Sequence, residues 1–176
     1  DLNSFGADAM SFSNGKWQVV VEATADDANS FFLFRDSNSN FNKKWSRGDF
    51  VSFGSLDTAF WQGGDTSISV TNSLYYTFTL SNVSDNTNGQ LIVQETDNTP
   101  INFALNNAIT PSSPAVYPSQ DLELTVTLAG NKSSQEKVFI RYTSDSFVTS
   151  DVVEVSFASA TASSGTATIP GSFNTA

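Results

Sequence analysis

Apolar and polar positions alternate with period two through most of this chain, and no stretch carries the i, i+3, i+4, i+7 stripe of an amphipathic helix. The alternation predicts strands over 16–23, 30–35, 49–53, 66–70, 74–80 and 89–95 in the first half. In the second half it predicts strands over 121–128, 137–142, 152–157 and 165–170. Trp17, Val19 and Val21 share one face of the first strand, so Trp17 is expected in the core. Leu74, Tyr76, Phe78 and Leu80 share a face of another, with Tyr75, Thr77 and Thr79 opposite, as in a sheet with one buried side. Asn14-Gly15 and Asn88-Gly89 are tight-turn signals, because both residue types accept a positive φ.

Short strands separated by polar turns every 8–12 residues or so are the mark of a β-sandwich. Four of the five prolines, Pro100, Pro111, Pro114 and Pro118, fall between 100 and 118. Proline removes ladder donors and stiffens a connection. The expected architecture is therefore all-β: two tandem immunoglobulin-like sandwich modules, 1–99 and 119–176, joined by a proline-rich connection over 100–118. The second module shows only four or five strands, where such a sandwich has about seven. It reads as incomplete at its C-terminus, its missing strand supplied by more polypeptide, by another part of the chain or by a neighbouring chain.

Composition narrows the chemistry. The chain has no histidine and no cysteine. This excludes Ser-His-Asp and Cys-His nucleophile systems, imidazole or thiolate zinc sites and disulfides. Carboxylates, amides, hydroxyls, lysines, arginines and aromatic rings remain, an inventory better suited to binding than to catalysis, and the protein is not expected to be an enzyme. A pair of carboxylates for glycoside hydrolysis needs a shielded acid in a deep cleft, which small sandwich modules lack. Hydrophobic residues make up 39% of the chain, enough for a real core. The net charge of −10 disfavours nucleic acid and anionic membranes as partners. No apolar run is long enough to span a bilayer, so no membrane insertion is expected. Abundant Ser, Thr, Asn and Asp with little Lys or Glu predicts a secreted or cell-surface bacterial protein. The start at Asp1, with no leader pattern, is expected of a mature chain or an excised piece.

Two clusters could bind something. Trp45 and Trp61 sit in segments rich in Asn42, Lys43, Gln62 and Asp65, and are expected on loops. A flat indole stacks on the apolar face of a pyranose while nearby amides and charges bond its hydroxyls. These six residues form the candidate polysaccharide platform. Asp36, Asn38 and Asn40 alternate oxygen-bearing side chains and form a candidate calcium loop, although the sixth-position Gly and distal Glu of an EF-hand are missing. No other cofactor is expected.

Residues 137–154 carry a strand ending in Arg141-Tyr142, a Thr143-Ser144-Asp145-Ser146-Phe147-Val148-Thr149-Ser150 turn and a Val/Glu strand, followed later by Ile169-Pro170. This resembles an immunoglobulin-like module of secreted Bacteroidetes α-amylase-family proteins. Asn14-Gly15-Lys16-Trp17, then Phe32-Leu33-Phe34-Arg35 and the two later tryptophans, are similar to sandwich modules of outer-membrane starch-utilisation lipoproteins. The resemblance implies starch association, and hence non-catalytic binding of an α-glucan within a larger secreted or surface protein. The competing expectation is a structural or adhesive protein that self-associates by strand addition.

Overall fold

Strands account for nearly all the regular structure in the computed structural model, which describes residues 8–37, 40–101, 103, 108–112, 119–146 and 148–173, without the side chains of 37, 40 and 41. A 3-10 turn at Gly171–Phe173 is the sole helical element among them. The chain is all-β, with several antiparallel sheets compatible with a β-sandwich. It divides into two compact units, Asp1–Thr99 and Pro100–Ala176.

In the first unit a seven-stranded sheet contains β1 (Ser11–Ser13), β2 (Lys16–Glu22), β4 (Phe34–Ser37), β5 (Asn40–Ser46), β6 (Leu56–Trp61), β8 (Tyr75–Ser81) and β9 (Gly89–Thr96). Their spatial order is β1-β2-β8-β9-β6-β5-β4. β3 (Asp27–Phe32) and β7 (Thr66–Val70) form a second, two-stranded sheet. The run expected over 30–35 breaks at Leu33. Its first half pairs with β7, and Phe34 and Arg35 pair with β5. One strand thus feeds both sheets, a corner that a sandwich permits. The expected strand at 49–53 reduces to a bridge between Phe50 and Ser67.

The alternation on β8 places Tyr76, Phe78 and Leu80 in the core, with Val19 and Val21 beside them on β2 and Leu91 and Val93 on β9. Ile68 and Val70 of β7 belong to the same cluster. Phe32, Phe34 and Phe78 meet edge to face, with centroids 4.9–6.3 Å apart. The buried Tyr76 hydroxyl donates to Glu95 Oε2 at 2.7 Å and accepts the Thr71 N–H at 2.8 Å. Burial, then the bond to Glu95, pushes its pKa up to about 12.

The two Asn-Gly pairs behave differently. Asn14 and Gly15 both have positive φ, and Ser13 pairs with Lys16 across a two-residue hairpin. Asn88-Gly89 is no such turn. Positive φ falls instead on Asn82 and Asn86, and Gly89 opens β9. A Cβ at Gly89 would lie 2.4 Å from Val83 Cγ1, so close packing explains that glycine.

The second unit has a four-stranded sheet of β10 (Ile109–Pro111), β11 (Leu122–Thr127), β15 (Ser164–Ile169) and β14 (Ser156–Phe157), in that order. β12 (Phe139–Tyr142) and β13 (Asp151–Glu154) form a separate pair. Leu124, Val126, Leu128 and Ala167 pack with Val138, Ile140 and Val155. The chain passes from β13 to β14 through Val155, whose N–H donates to Val138 O at 2.8 Å, and so changes sheets.

Part of the segment expected to be a proline-rich connection belongs to this unit. Ile101 packs against its core, Phe103 bridges Leu128, and β10 pairs with β11. Pro111 ends an edge strand, where a missing N–H costs little. Residues 102, 104–107 and 113–118 lie outside the described set.

Candidate functional site

Trp45 and Trp61 are not loop residues. They are direct partners on the adjacent strands β5 and β6, so both rings leave the same face of the sheet. The centroids are 4.9 Å apart with the planes at 66°. Trp45 is buried at 7% exposure and belongs to the core cluster, while Trp61 is half-buried and packs against that cluster. The Trp45 indole N–H donates to Thr87 O at 2.9 Å, which satisfies its polar handle inside the protein. Trp45 is thus too buried to serve in the expected platform, and Trp61 is the more exposed of the two. The run Asn-Phe-Asn-Lys-Lys-Trp-Ser lacks alternation, which is why a strand there reads as a polar loop.

Several hydrogen bonds tie the chain around Trp61 to neighbouring segments. The Trp61 backbone N–H donates to Asn88 Oδ1 at 3.0 Å. The Gln62 N–H donates to Lys44 O at 2.9 Å, and its side-chain amide donates to Asn42 O. Gln62 itself sits at a positive φ of 57° as the chain leaves β6. Lys43 Nζ pairs with Asp85 Oδ2 at 2.6 Å, and that bond raises the lysine pKa above its ordinary value. Of the candidates, Gln62 follows Trp61 and bonds the Asn42 backbone carbonyl on the adjacent strand, and Lys43 of that strand bonds Asp85. Asp65 lies farther along, exposed in the segment that leads into β7.

Asp85, Thr87 and Asn88 also bond to these two strands, and the sequence does not assign them to the platform. The available signal is the Asp-Asn-Thr-Asn run at 85–88, which reads first as a turn. Arg47 Nε and Asp57 Oδ1 form an ion pair at 3.0 Å.

Trp17 corrects the opposite expectation. It lies on the core side of β2 opposite Leu80, yet it is 40% exposed. Its outer neighbour β1 is only three residues long and exposed throughout, so little covers the ring there. Phe12 of β1, 59% exposed, meets it at a centroid distance of 4.8 Å.

The candidate calcium loop is a hairpin end, with Ser37 pairing with Asn40 between β4 and β5. Asp36 is exposed on β4. Asn38 and the Asn40 side chain lie outside the described residues, as does Phe147. Among the described residues no three acidic side chains gather closely enough to hold a metal ion. Among the described residues no helix is long and apolar enough to cross a membrane.

No family model, curated protein or solved structure matches the chain.

Proposed function

We propose that this chain is a non-catalytic polysaccharide-binding protein of two immunoglobulin-like sandwich modules, acting outside the cell as part of a larger secreted or surface protein. The leading ligand is an α-glucan. The observation that carries the reading is the setting of Trp61: a half-buried indole packed edge-on against Trp45, followed by Gln62 and paired with the strand that carries Asn42 and Lys43. A ring packed against a neighbour loses little entropy when a pyranose stacks on it, and the adjoining residues offer amide and charged groups for hydroxyls. The starch-module resemblance of 14–17, 32–35 and 137–154 points to the same ligand class. The absence of histidine and cysteine supports a binding role over catalysis.

Affinity electrophoresis through gels containing amylopectin tests this. Retardation by the native chain and its loss in Trp61→Ala, with an unchanged melting temperature, is the expected result. Equal mobility with and without the polymer would overturn the reading.

One observation favours the structural alternative. Among the described residues the β12–β13 sheet has only two strands, fewer than an independently stable sheet needs. Strand addition from another chain would enlarge it. Light scattering that reports a monomer at all concentrations would remove this alternative.

A further inference from the structure

The second unit holds a lysine whose surroundings the proposed function does not use. Lys132 is only 7% exposed, in a chain where nearly all charges are at the surface. Its Nζ donates to two carbonyls of its own loop, Glu136 O at 2.7 Å and Ser133 O at 3.1 Å. It lies 5.4 Å from the centre of the Phe157 ring. An ammonium has three protons, and these two bonds leave one. Among the described residues no carboxylate pairs with it. The nearest acid in sequence, Glu136, is itself 5% exposed and already engaged: Oε1 accepts the Ile101 N–H at 2.9 Å and Oε2 the Ser133 N–H at 3.2 Å. Glu154 pairs with Lys137 at 3.4 Å.

A buried charge is normally neutralised by an ion pair. Lys132 lines an open cleft of about 430 Å³, together with Phe157, Gln135, Ser156 and Ser159 and with the charged Glu136, Lys137 and Glu154. That volume lies within the range of small-molecule sites.

We infer that this cleft is a second ligand site, in the second unit and independent of Trp61, and that it takes a sugar acid. The carboxylate of a uronic acid accepts the remaining Lys132 N–H. Its ring lies against Phe157, and its hydroxyls meet the Ser156 and Ser159 hydroxyls and the Gln135 amide. The net charge of −10 opposes an anion at long range, but that field is screened beyond roughly 8 Å at physiological ionic strength. Contact with one buried cation therefore decides the affinity, on the order of millimolar.

Amide NMR on the whole chain tests this, with glucuronate, glucose and acetate as separate titrants. Glucuronate is expected to shift resonances within 132–137 and 154–160 saturably, and glucose and acetate to bind at least about tenfold more weakly, since a charge-assisted hydrogen bond is lost with the first and the ring contact with the second. Lys132→Met, which keeps the aliphatic stem, should abolish the glucuronate response. Because Lys132 also ties its own loop, the unmutated chain with the three titrants decides the matter if that variant fails to fold. No saturable shift with glucuronate, or equal affinity for glucose or for acetate, would overturn the assignment. Loss of Trp61 should leave this response intact.

Discussion

Trp45 and Trp61 differ by 16 positions and share a rung of the sheet, yet removing them should have different consequences. Trp45→Ala empties a packed core position and orphans the Thr87 carbonyl, and is expected to cost about 3–5 kcal/mol in urea unfolding. Trp61→Ala should cost clearly less while abolishing glucan retention. Asp145 offers a residue-scale test in the second unit. Its carboxylate accepts the Thr149 hydroxyl at 2.6 Å, the Thr143 hydroxyl at 2.7 Å and the Thr149 N–H at 2.9 Å. The Thr149 hydroxyl, then Thr143 and the backbone, hold its pKa at about 2, below the ordinary 3.8. A depressed folded-state pKa stabilises the fold above the unfolded value, and that contribution disappears as pH falls from about 4 towards 2. An NMR titration of the Asp145 carboxyl should show a midpoint near 2, and Thr149→Val should move it upward. These bonds form across a turn, so the Thr-Ser-Asp pattern signals the turn in sequence but not the acidity of its carboxyl.

At the scale of elements, strands whose alternation was clean appear where the pattern puts them. β2, β7, β8, β9 and β11 are examples, because one face of each meets a core. β5, β6 and β10 were missed or misread for separate reasons. β5 carries a polar run, β6 ends on the adjacent Phe60-Trp61, and β10 ends in proline. Edge and near-edge strands bury less and need less apolar alternation, so their sequences resemble loops. The placement of β10 predicts that deleting residues 100–112 will unfold the second unit, since Ile101 and the β10–β11 pairing are lost with it. A flexible connection would tolerate the deletion with an unchanged melting curve. The hairpin at Asn14-Gly15 is legible in sequence for a local reason: Gly15 has a φ of 72°. Gly15→Ala is expected to cost about 1–2 kcal/mol, the strain of a Cβ in the left-handed region, as read by urea unfolding of the first unit.

At the scale of the whole molecule, each unit has its own core cluster. Residues 1–99 expressed alone should therefore unfold cooperatively, with the Tyr76–Glu95 bond and the Phe32, Phe34 and Phe78 contacts intact. A non-cooperative, probe-dependent transition would mean the first unit depends on the second. The sequence by itself determined the all-β class, the principal strands and their buried faces, because period-two alternation is a local consequence of a sheet having two sides. It also determined which chemistries were closed, through the missing histidine and cysteine. It brought Trp61 and its amide neighbours to notice, but only by residue type. The tertiary structure decided that Trp45 is buried and Trp61 only half-buried, since the two differ in depth and not in local pattern. It exposed Trp17 because coverage depends on what lies across and beyond a strand, and a three-residue edge strand covers little. It also drew Asp85 to Lys43, Asn88 to the Trp61 backbone and Lys132 over the Phe157 ring. Those contacts join residues brought together by folding, and no spacing along the chain encodes such a distance.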